Sequence, residues 1–127
     1  MANTITQRDQ FVGPYRVYRF VHIVSDGSEE TDLIVFDRST YDSVTNQGRV
    51  MSIRACGSTC VCRLEWDQST DSPISSFDPA YSQYMCYEKL GGICNPGGTG
   101  ATGDILLTTA NLDSGDEVTL IIEVRLV

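Results

Sequence analysis

The amino-acid sequence predicts an all-β chain, an antiparallel β-sandwich of jelly-roll-like outline with an extended N-terminal arm. Three features carry that expectation. In the closing run Val118, Leu120, Ile122, Val124 and Leu126 fall on one face at period two, opposite the mostly polar Thr119, Ile121, Glu123 and Arg125. Tyr15 to Val24 is a second strongly β-forming run. Clusters of Gly, Ser, Asp and Pro separate such runs and leave little room for helix.

Taken in order, residues 1–13 are polar and end in the apolar tip Phe11-Val12-Gly13-Pro14, which reads as an arm lying outside the sandwich domain of residues 14–127. In the strand from Tyr15 to Val24, one face carries Tyr18, Phe20, His22 and Val24 and the other Val17, Arg19, Val21 and Ile23. Ser25 to Asp32 is an acidic turn, Leu33 to Asp37 a short buried strand, and residues 37–48 a polar connection with room for one helical turn. Arg49 to Ala55 and Cys60 to Trp66 read as a hairpin closed by Gly57-Ser58-Thr59. Its second strand points Cys60, Cys62, Leu64 and Trp66 to the core. Asp67 to Pro79 reads as a long surface loop, Tyr81 to Tyr87 as an edge strand, and Gly91 to Gly103 as irregular. The chain closes in another expected hairpin, whose turn is Asp113-Ser114-Gly115-Asp116 and which needs a second sheet to cover it. About seven strands are expected.

At 127 residues the chain is of one-domain size and can bury a core without staples. With 41% hydrophobic and 20% charged residues it is globular rather than disordered. A net charge of −8 and eight arginines that occur singly argue against nucleic acid as partner. An acidic surface also argues against anionic membranes. The first residues lack an apolar signal core, so folding in the cytoplasm of synthesis is expected, with the five cysteines as free thiols.

No catalytic, cofactor-binding or metal-ligating set emerges. Gly98-x-Gly100-x-x-Gly103 matches a dinucleotide-binding string, but a strand follows it where the motif needs a helix N-terminus. Cys56, Cys60, Cys62, Cys86 and Cys94 lack the paired knuckles of structural zinc, and packing is the leading reading, with a disulfide such as Cys86–Cys94 and a metal site as the alternatives. His22, the one histidine, lies mid-strand and reads as a packed core or interface residue rather than a general base. The carboxylates at Asp26, Glu29, Glu30 and Asp32, and at Glu65, Asp67 and Asp71, read as solvated turns that miss the helix-loop-helix calcium spacing.

Leu33-Ile34-Val35-Phe36-Asp37, Arg63-Leu64-Glu65-Trp66-Asp67, Gly91-Gly92-Ile93-Cys94-Asn95-Pro96 and Gly103-Asp104-Ile105-Leu106-Leu107-Thr108-Thr109, with the Ser114-Gly115-Asp116 turn, carry a resemblance over about Thr31 to Val127. In these segments the chain resembles a family of small virion structural proteins of tailed bacteriophages, including phages of cyanobacteria. The resemblance implies a non-enzymatic capsid decoration (cement) protein on the outer head that clamps neighbouring major capsid proteins. Its partners would be the phage major capsid protein and further copies of itself, with a trimer expected. The arm's Phe11, Val12, Pro14 and Tyr15 are the expected anchors, and deleting residues 1–13 is expected to leave the β domain folded. A tail, neck or fibre-associated subunit is the alternative within a virion. A carbohydrate- or calcium-binding adsorption module, using Tyr81, Tyr84 and Tyr87, is the alternative of another class.

Overall fold

A computed structural model describes residues 3–41 and 48–126. These form ten strands: β1 (Thr4–Val12), β2 (Arg16–Val24), β3 (Leu33–Phe36), β4 (Arg49–Gly57), β5 (Val61–Trp66), β6 (Ser72–Phe77), β7 (Gln83–Cys86), β8 (Ile93–Cys94), β9 (Ile105–Ala110) and β10 (Glu117–Arg125). They build two antiparallel sheets, as an all-β sandwich requires. The larger has six strands, ordered β1-β2-β10-β4-β7, with β8 also on β4, and the smaller is ordered β3-β9-β5-β6.

The period-two faces turn inward as the sequence indicates. Val17, Val21, Ile23, Val118, Leu120, Ile122 and Val124 from the larger sheet meet Cys62, Leu64, Trp66, Ile105 and Leu107 from the smaller. Trp66, the last residue of β5, is fully buried between the sheets. Burying side chains of this size contributes about 1.5–3 kcal/mol each, and this layer is what holds the sheets together.

Neither expected hairpin is a hairpin. β9 lies in the smaller sheet and β10 in the larger, so the turn at residues 113–116 crosses the sandwich. β4 and β5 are divided in the same way, and residues 58–60 make a second crossing. Each of these strands has one strongly apolar face. A crossing sets the two faces against each other across the core, whereas a hairpin leaves both on one side of one sheet. The crossings touch: Ser58 N–H donates to the Glu117 carbonyl (2.8 Å), and Glu117 N–H to Ser58 Oγ (3.1 Å).

The segment read as a loop from Asp67 to Pro79 contains β6, paired along β5. A bulge between Leu64 and Glu65 of the partner register breaks its alternation. Ile74 and Phe77 therefore both reach the core at a spacing of three. Pro73 is tolerated because β6 is an edge strand. Residues 37–48 hold one 3-10 turn, Arg38–Thr40, started by the Asp37 side chain accepting from Ser39 N–H; residues 42–47 of this segment lie outside the described residues. The glycine-rich stretch contains the two-residue β8.

The N-terminal segment is extended but is not an arm. Thr4–Val12 pairs with β2 over eight register positions, with a bulge between Asp9 and Phe11, and forms the edge of the larger sheet. Ile5 packs against the core, and Asn3 donates to the Ser28 carbonyl (3.0 Å) and to Glu30 (2.6 Å). An apolar β2 with half its ladder unpaired is a better template for this segment than solvent. Deleting residues 1–13 thus removes a strand of the domain.

Candidate functional site

The β1–β2 connection brings the four expected anchor residues to one end of the sandwich. Gly13 N–H donates to the Arg16 carbonyl (2.8 Å) and closes the turn, while Tyr15 accepts from Leu126 N–H (2.8 Å). Phe11, Val12 and Tyr15 are 56%, 55% and 63% exposed, an unusual degree for three large apolar residues in one tight turn. Phe11 is held edge-to-face on Tyr18, with ring centroids 5.9 Å apart. Phe11, Gly13, Pro14, Tyr15 and Arg16 line an open depression of about 230 Å³. Gly13 keeps it open, since a Cβ there would stand 3.0 Å from the Phe11 ring.

Arg16 borders this tip and is locked in place. Its Nη1 donates to Glu123 Oε2 at 2.6 Å, and Ser52 Oγ donates to Glu123 Oε1 at 2.9 Å. The nearby Glu123 carboxylate raises the Arg16 guanidinium above its ordinary value. The tip is therefore a rigid apolar knob with a fixed cation at its base.

The other candidates are dispersed. His22 is not in the core; it lies half-buried on the outer face of the larger sheet, its Nδ1 2.9 Å from Thr119 Oγ1 and its Nε2 3.2 Å from Glu117. A hydroxyl, an imidazole and a carboxylate thus stand in line. However, β2 is paired on both sides, so its backbone N–H groups are spent in the ladders and are not free to cradle an oxyanion. Cys60 and Cys62 face each other in the core with sulfurs 3.8 Å apart, and burial pushes both thiols up, which keeps them protonated and unreactive. All five thiols are free. Cys86 pairs opposite Ser52 and Cys94 opposite Arg49, three residues apart on β4. That separation is about 10 Å along a strand, beyond the roughly 7 Å a disulfide can span.

The tyrosine platform is incomplete. Tyr81 and Tyr84 are exposed, but Tyr87 packs against the core with its hydroxyl 3.3 Å from Ser75 Oγ. The two carboxylate stretches do converge: Asp32, Glu65 and Asp71 bring one oxygen each within 4.8 Å of one another on the outer side of the smaller sheet. Arg63 Nε is bound to Glu65 at 3.2 Å beside them.

The arginines are not isolated either. Register sets Arg16 opposite Arg125 and Arg125 opposite Arg49, a row of three across β2, β10 and β4. One pair of rows further along the same outer face, Arg8 lies over the Phe20 ring (3.9 Å) and Arg54 over the Tyr84 ring (4.3 Å). No signal along the chain announces this, because the residues are far apart in sequence and meet only through strand order.

The architecture defines the class: a two-sheet antiparallel sandwich with an apolar hairpin tip and an arginine-bearing outer face. No protein-family model matches the chain, and no curated protein matches it.

Proposed function

We propose that the chain is a non-enzymatic virion structural protein, a capsid decoration (cement) protein that grips neighbouring major capsid proteins on the phage head. The observation that carries this reading is the exposed knob that Phe11, Pro14 and Tyr15 form around one depression at the end of the sandwich, with the exposed Val12 beside it. Exposed apolar groups held this firmly lose little entropy on docking, which suits a contact repeated many times around a shell. The resemblance of residues 31–127 to small phage virion proteins supplies the shell as the partner.

Counting copies in purified virions by quantitative mass spectrometry against the major capsid protein tests the role. Hundreds of copies near a simple ratio to the capsid subunit are expected. A few to a few dozen copies would move the chain to the neck, tail or fibre. The knob is tested by Phe11→Ser with Tyr15→Ser, which should abolish incorporation while the domain stays folded.

A further inference from the structure

We infer that the outer face of the six-stranded sheet binds the outer face of the four-stranded sheet of a second copy of this chain, head to tail, through arginine–carboxylate pairs. This goes beyond the virion reading and does not depend on it.

The charge of the molecule is divided between its two flat faces. Strand register places Arg8, Arg16, Arg49, Arg54 and Arg125 on the outer side of the larger sheet, against Glu117 and Glu123 on the strands and Glu88, whose carboxylate lies 3.9 Å from Arg16. Glu123 is buried and engaged by Arg16 and Ser52, so it cancels the charge of Arg16 and leaves Arg8, Arg49, Arg54 and Arg125 as the cations of the face. The outer side of the smaller sheet carries Asp32, Glu65 and Asp71 with Arg63 as the neighbouring cation. A chain of net charge −8 thus keeps a cationic face, and its opposite face is anionic.

Both clusters are unfavourable in the lone molecule. Side chains directly opposite on antiparallel strands stand about 5 Å apart, and like charges there repel. In the arginine row, Arg16 is neutralised by Glu123, and Arg49 donates to the Gly91 carbonyl (2.9 Å). The Arg125 side chain, between them, is exposed and makes no hydrogen bond or ion pair with any described residue. The three carboxylates are crowded within 4.8 Å with one arginine among them. Bringing the two faces together relieves both repulsions at once and forms charge-assisted pairs.

The smaller sheet limits the contact. Its four strands of four to six residues make a face of about 19 by 20 Å, or about 380 Å², which suits a weak, salt-sensitive contact below the size of a standard interface. The guanidinium groups over Phe20 and Tyr84 add arginine and aromatic side chains, the types that dominate interface energetics. The two outer faces look in opposite directions, so the contact is heterologous and adds copies in line. It does not close the ring that a trimer requires.

Sedimentation velocity of the purified full chain, from micromolar to millimolar concentration, tests this. Mass that grows with concentration at low salt is expected, with loss near 1 M salt, where charges are screened within about 3 Å. Arg125→Glu and Asp71→Arg should each weaken association by about tenfold or more with unchanged circular dichroism. An equimolar mixture of the two variants should recover a dimer, because it retains one intact face of each kind. A wild type that stays monomeric throughout overturns the inference, as does a discrete closed trimer or a mixture that fails to pair. So would tight binding of single-stranded DNA that Arg125→Glu abolishes, in the absence of self-association. None of these outcomes bears on virion copy number, so the two readings fail separately.

Discussion

Gly57 and Glu117 meet where the two sheet-crossing turns touch, and the Glu117 carbonyl oxygen occupies the space a Cβ on residue 57 would need. Gly57 has φ +141°, a backbone conformation that side chains rarely adopt. Gly57→Ala is therefore expected to cost about 2–4 kcal/mol, combining backbone strain with a clash against main chain that cannot swing away. Urea unfolding followed by the fluorescence of Trp66, the only tryptophan, measures it. A cost under about 0.5 kcal/mol would show that the crossings do not depend on this contact.

The apolar knob should be separable from stability. Phe11 and Tyr15 are more than half exposed, so serine at either position is expected to shift stability by no more than about 0.5 kcal/mol. Deleting residues 1–12 should instead lower the urea midpoint markedly, because it strips β1 from β2 and removes Ile5 from the core margin. Equal stability of the deletion and the full chain would restore the picture of a free arm.

Thiol chemistry should divide the cysteines into two classes. Cys56, Cys86 and Cys94 are exposed and Cys60 and Cys62 buried. A thiol reagent at neutral pH is expected to titrate three groups rapidly and the remaining two only on unfolding. Five fast groups would mean that the sandwich opens on the time scale of the assay.

Stability should fall on the alkaline side. Burial pushes the Cys60 and Cys62 thiols up, and burial with the Asp9 hydrogen bond pushes the Tyr41 phenol up to about 12. In the unfolded chain these groups lose their protons at about 8.5 and 10. The unfolded state then binds fewer protons than the folded one, so stability is fully present below about pH 8.5 and declines as pH rises toward 12. Cys62→Ala combined with Tyr41→Phe should flatten that decline in urea midpoints taken across the range. An unchanged slope would assign the alkaline loss to other groups.

Much of the core was legible in the chain because strand alternation is a local signal. The inward set of β10 and the inward Cys60, Cys62, Leu64 and Trp66 of β5 follow from period two alone. β6 was hidden because a bulge changes its inward spacing from two to three. The crossings were hidden because a short polar turn between two apolar strands serves a hairpin and a sheet-to-sheet corner equally well.

The candidate site divides along the same line. Phe11, Val12, Pro14 and Tyr15 stand within five residues, and their apolar character beside polar neighbours marks them in the sequence. That they form a knob on a paired strand, and not the end of a loose arm, depends on β2 offering its edge. Arg16, Arg49 and Arg125 are unremarkable in the chain and adjacent in the sheet.

By itself the sequence determined the fold class, the inward faces and the acidic balance, since these are set by residue type and short-range periodicity. Strand order and register were decided by the tertiary structure alone, and with them the cationic and anionic faces. Those depend on which apolar faces meet across the core, a long-range choice that no local pattern encodes.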